Sequence, residues 1–135
     1  MTESIKFGDV FKHHEQEYVF LAKTGDILYA AQILDVEKTR QIKRLDDHRA
    51  RRPDANRFEN ILYCYVMLST EEFKDRMAHF GDPTLDGIVI DKTGVALNTE
   101  DMRTLKNDLC DPRTLVAGEL KQLVRDLVIP QNHTA

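Results

Sequence analysis

The stretch EYVFLAKTGDILYAAQIL, Glu17 to Leu34, decides the fold. Two apolar runs rich in aromatic and β-branched residues, Glu17–Ala22 and Ile27–Leu34, flank Thr24-Gly25-Asp26. Runs of strand length on either side of a glycine turn read as antiparallel neighbours. Upstream, Gly8-Asp9-Val10-Phe11 opens the ordered part, and His13-His14-Glu15 reads as the turn into the second strand. The result is a meander of three antiparallel strands.

Further along, Ile61 to Leu68 is the longest apolar run, eight residues. It has strand length and no polar face, which predicts a central strand covered on its second side by helices or a partner chain. Ser69 and Glu72 stand at capping-box spacing, and Phe73, Met77 and Phe80 fall on one helical face. These predict a helix directly after that strand, stopped by Gly81 and Pro83. Ile88-Val89-Ile90 and Val95-Ala96-Leu97, separated by Asp91-Lys92-Thr93-Gly94, predict a hairpin. Asn98 or Thr99 caps a helix reaching Leu109. Asp111-Pro112 then predicts the start of a long last helix, with Leu115, Val116, Leu120, Leu123, Val124 and Leu127 as its apolar stripe.

Strands first and helices mostly later favour α+β over a βαβ layout. The expected fold is a single domain over residues 1–135: a small antiparallel, barrel-like sheet, a helix after the central strand and a long C-terminal helix. At 135 residues the chain can bury a real core without staples. Its polar start lacks the apolar region of a secretory signal, and no apolar run approaches membrane-span length. Two cysteines, Cys64 and Cys110, make neither a disulfide framework nor a metal set. A reducing cytoplasm fits this usage, and no cofactor is implied.

Charge is unevenly spread. The net charge is −4, yet Lys38 to Arg57 carries +5, which leaves −9 for the rest of the chain. Such an asymmetry steers a polyanion toward one face. Asp46 to Asn56, with Pro53 and almost no apolar residue, is expected to be a loop or partly disordered. Lys43, Arg44, Arg49, Arg51, Arg52 and Arg57 are the candidate phosphate contacts, with Phe58 placed to stack on an unpaired base. The other reading is a solvated loop whose charges pair with Asp46, Asp47 and Asp54. Asp47, His48 and Arg49 also have the chemistries of a base, an acid and a cation, as RNA cleavage by a 2′-hydroxyl requires. Metal spacing is missing. His13 and His14 as strand neighbours point to opposite faces, and Asp82, Asp86 and Asp91 do not follow an EF-hand pattern.

The order FGDVF, EYVFLA, ILYAAQIL, with YVMLSTEEF later, resembles the plasmid-maintenance toxin family typified by MazF and PemK, over residues 7 to 73. Glu17-Tyr18 stands where that family usually has an Arg-Pro pair. The resemblance implies an SH3-like barrel that binds or cleaves single-stranded RNA and meets an antitoxin-like protein partner. Three functions follow as expectations. The first is a module binding RNA or protein through the basic loop, the second an endoribonuclease, the third a homodimer or larger homo-oligomer of structural role.

Overall fold

Alternation along the first three strands builds the sheet. A computed structural model of the chain describes residues 5–25, 27–50, 65–80, 84–86, 91–112, 114 and 116–127, with 43, 45–50 and 84–86 described as backbone. Strands β1 (Asp9–His13), β2 (Gln16–Thr24) and β3 (Ile27–Leu34) form the expected antiparallel meander. His14 and Glu15 both take positive φ, 52° and 67°, which is the two-residue turn whose twist matches a hairpin. The remaining elements are helix α1 (Val36–Ala50), β4 (Tyr65–Met67), β5 (Met77–His79), β6 (Thr84–Asp86), β7 (Asp91–Ala96), α2 (Thr99–Cys110) and α3 (Gly118–Arg125). The architecture is α+β. Among the described residues one antiparallel sheet has the order β4-β5-β3-β2-β1-β7, with β6 also paired to β3. None of the described helices is long and apolar enough to cross a membrane.

The two faces of the meander bury different residues, as a period of two requires. Val10, Val19, Ala31 and Ile33 join the larger core, which α2 and α3 close with Leu105, Leu109, Leu120 and Val124. Phe11, Phe20, Leu28 and Ala30 form a second cluster on the opposite face, with Tyr18 and Ile5 beside it. Asn98 caps α2 by accepting from the Asp101 N–H at 2.7 Å, as the sequence indicates.

Four local expectations are corrected. The strand of the Ile61–Leu68 run is described only at Tyr65–Met67 and lies at one end of the sheet order, not at its centre. Val66 enters the larger core, while Met67 on the other face stays 37% exposed. No α-helix follows it. Glu71–Phe73 makes one 3-10 turn, Asp75 takes a φ of 68°, and Met77–His79 pairs as a strand. Phe73, Met77 and Phe80 are buried, but from a turn and a strand, so their helical spacing is coincidental.

The turn expected at Asp91–Gly94 lies inside β7, which pairs with β1; residues 87–90 lie outside the described residues. Between the pairs Asp9–Ala96 and Phe11–Lys92, β7 has two residues more than β1. Gly94, with a φ of 83°, absorbs them, while the Thr93 hydroxyl donates to the Val10 carbonyl at 3.0 Å.

Asp111-Pro112 ends α2 instead of opening a long helix. The residue before a proline is pushed out of the helical region, and Asp111 is extended at φ −67°, ψ 132°. The last helix is accordingly short, Gly118–Arg125, and buries Leu120 and Val124 from the expected stripe; Leu115 lies outside the described residues.

That helix end carries a pH dependence. Burial and the neighbouring Asp111 push the Asp108 carboxyl up from 3.8 to about 6, and it sits where the carbonyl end of α2 also disfavours negative charge. A raised carboxyl pKa means the folded state holds the proton more tightly. Its contribution is complete below pH 3.8 and is lost as pH rises through 6. Asp108→Asn is therefore expected to be the more stable protein at pH 7, by no more than about 1 kcal/mol because solvent screens a partly exposed carboxylate. Urea midpoints from pH 4 to 7 should fall more for the parent than for the variant.

Candidate nucleic-acid interface

The described part of the basic segment, up to Ala50, is helix α1, of which residues 46–50 fall where a loop was expected. Asp35 starts it: its carboxylate accepts from the Lys38 N–H at 2.8 Å, and its carbonyl accepts from Thr39 N–H and hydroxyl. From Val36 to Ala50 there is no glycine or proline, and Glu, Lys, Arg, Gln, Leu and Ala are good helix formers. Only Thr39, buried, and Ile42, half-buried, mark an inward side over the first two turns. Apolar periodicity was too sparse to announce the helix.

Of the candidate contacts, Lys43, Arg44 and Arg49 are helical positions of α1, whereas Arg51, Arg52, Arg57 and the stacking candidate Phe58 lie outside the described residues. Asp46 to Ala50, expected in the loop, also belong to α1. Arg40, not singled out from sequence, stands one turn before Arg44, and both are exposed. Like charges at this spacing cost the helix a few tenths of a kcal/mol. Among the described residues neither side chain forms an ion pair, so both guanidinium groups are available to an outside anion. Asp47, His48 and Arg49 occupy consecutive helical positions, which successive turns of about 100° fan apart. The helix itself does not bring them together for catalysis.

The register places a second feature beside this helix. Lys92, Phe11, Tyr18, Gln32, His79 and Tyr65 are successive partners across β7, β1, β2, β3, β5 and β4. Directly paired residues share a face, so these six make one row about 24 Å long at the usual strand spacing. Phe11 is fully buried and anchors the row by stacking on Tyr18, with centroids 5.6 Å apart. Tyr18, Gln32, His79 and Tyr65 are half-buried, and Lys92 is exposed. The Gln32 amide donates to Gln16 Oε1 at 3.0 Å, and the His13 ring lies 6.4 Å from Tyr18. Gln32 is three residues before the Asp35 cap, so α1 leaves the sheet at the end of β3 that carries the row.

Sequence reasoning missed this row because its members lie on six strands, from Phe11 to Lys92. Each is an unremarkable strand residue alone. The only available signal was the polar member of each strand's alternation, Gln32 above all. Among the described residues no cluster of three or more His, Cys, Asp or Glu could hold a metal ion. No family model matches the chain, and neither the curated proteins nor the solved structures contain a match.

Proposed function

We propose that the protein is a single-stranded RNA-binding module. Exposed arginines of α1 hold phosphates, and the rings of the β-sheet row, Tyr18, His79 and Tyr65, receive bases. The observation that carries this reading is the pair Arg40 and Arg44, exposed, without an ion pair among the described residues and one turn apart on a helix that leaves the sheet beside that row. A cationic track next to aromatic faces is the general solution for single strands, since every base has a face to stack. The resemblance to plasmid-maintenance toxins supports RNA as the polyanion. An antitoxin-like partner belongs to that same resemblance, whereas a cytoplasmic setting rests on the cysteine usage and a homodimer on the apolar Ile61–Leu68 run. Cleavage is a separate matter, read in the same tubes by following RNA length.

The test is fluorescence anisotropy with a labelled single-stranded RNA of mixed sequence, at 50 to 200 mM salt. The parent is expected to bind with a salt-dependent constant. Arg40→Glu/Arg44→Glu is expected to weaken binding at least about tenfold and to reduce the logarithmic salt slope by about 1.4, the value for two phosphate contacts on a single strand. Tyr18→Leu, which keeps an apolar group against Phe11, is expected to lose one stacking interaction of about 1–3 kcal/mol without changing the slope. Salt-insensitive binding, or equal binding by the double variant, would remove α1 as the phosphate site.

A further inference from the structure

We propose a second binding site, for an amphipathic carboxylate with a medium-length aliphatic tail, in a cavity beside β2 to which no residue of α1 contributes. The cavity has a volume of about 660 Å³. That is within the range of roughly 300–1,000 Å³ typical of small-molecule sites. Phe7, Phe20, Leu21, Ala22, Leu123 and Leu127 give it an apolar wall.

Two backbone features make this cavity. A regular strand sends alternate residues to opposite faces, yet Phe20, Leu21, Ala22 and Lys23 all line it. A β-bulge contributes: Phe20 pairs with Ala30 and Ala22 with Tyr29, so Leu21 is an extra residue without a partner on β3, and Leu21 and Ala22 both turn toward the larger core while Phe20 stays with the second cluster. Bulges of this kind re-aim side chains beside binding sites. The second feature is Gly8. Its positive φ of 93° turns the chain so that Ile5, Lys6, Phe7 and Asp9 border the same space from the other side.

The charge at the rim selects the ligand. Lys6 and Lys23 both line the cavity and are exposed. The one carboxylate there, Asp9, already accepts the Lys6 backbone N–H at 2.9 Å. Among the described residues neither lysine side chain has an acidic partner. Two uncommitted ammonium groups over an apolar wall suit a single anionic head on a hydrocarbon tail. A polyanion finds no comparable row of cations here, and a cation is repelled. This site is independent of the RNA reading.

Calorimetric titration of the full chain with decanoate, below its micelle concentration, tests the proposal against decyltrimethylammonium as the probe of opposite charge. Expected are one decanoate per chain and at least tenfold weaker binding of the cation. Lys6→Glu/Lys23→Glu should reverse that preference. Ala96→Phe, an exposed position on the cavity wall, should weaken both probes at least tenfold while the urea midpoint shows that the sheet remains folded. Equal affinity for both head groups, an unchanged preference in the lysine double variant, several weak equivalents per chain, or no heat at all would each overturn the assignment.

Discussion

Asp101→Ala is expected to cost about 4 kcal/mol, since each donor left without its acceptor in a buried place costs about 1–3 kcal/mol. Asp101 is 3% exposed, and its carboxylate accepts four hydrogen bonds of 2.7 to 2.8 Å: the backbone N–H and hydroxyl of Ser69, and the backbone N–H and hydroxyl of Thr70. Its own N–H donates to the Asn98 cap, whose backbone N–H in turn donates to the Thr70 hydroxyl at 3.0 Å. This knot ties the start of α2 to the chain leaving β4, about thirty residues earlier. Removing the carboxylate strands two backbone N–H groups that have no freedom to turn elsewhere, while the two hydroxyls can rotate. The single variants Ser69→Ala and Thr70→Ala should therefore cost only about 1 kcal/mol each. Asp101→Asn should fall between, since it keeps an acceptor but turns an amide N–H toward donors. A domain of this size has about 5–15 kcal/mol to lose, so a cost of about 4 kcal/mol removes a large part of its stability. Urea denaturation reads the series; a cost under about 1 kcal/mol for Asp101→Ala would mean that water replaces the carboxylate.

The same knot explains why part of the fold was legible in the sequence and part was not. The meander was legible because alternation, Gly25 and the His14-Glu15 turn act within a few residues of one another. Asn98 was legible as a cap for the same reason. Ser69 with Glu72 has the spacing of a capping box, but the Ser69 side chain is drawn to Asp101 and no helix forms there. That competition comes from a residue thirty-two positions away, which local patterning cannot weigh. Asp111-Pro112 fits either end of a helix by its own chemistry. It became a stop because Thr114 folds back, its hydroxyl donating to the Asp108 carbonyl, and Lys121 reaches the Asp111 carbonyl at 2.9 Å.

The candidate interface divides in the same way. A surplus of basic residues was visible as composition, but the helix that orders Arg40 and Arg44 rests on Asp35 and two inward positions. The row from Lys92 to Tyr65 exists only in the register between strands. Tyr29 shows how much such long-range pairing contributes. Its hydroxyl donates to Glu119 Oε1 at 2.9 Å, joining β3 to α3, and that hydrogen bond, with burial and the carboxylate's charge, raises the phenol above its ordinary pKa.

Gly8→Ala is expected to cost about 3 kcal/mol, from two separable causes. The first is conformational: at φ 93° an alanine is held in a region that L-residues avoid, at a cost of roughly 1–3 kcal/mol. The residue cannot relax, because its N–H donates to Phe20 and its carbonyl accepts from Leu97, at 3.0 and 2.9 Å. The second cause is contact: a Cβ at Gly8 would stand 2.8 Å from Met102 Cε and 3.0 Å from its Cγ. Gly25 separates the two effects, since its φ is also positive, 58°, but nothing lies within 4 Å of an added Cβ. Gly25→Ala should therefore cost only about 1 kcal/mol. Met102 borders the cavity as well as Gly8, so the side chain has space to move into, and that movement takes volume from the cavity. The Gly8→Ala/Met102→Ala pair should show a favourable coupling of about 1 kcal/mol in a double-mutant cycle read by urea denaturation, because the truncated side chain no longer meets the new methyl. Additive costs would assign the whole penalty to the backbone and leave Met102 without a part in it.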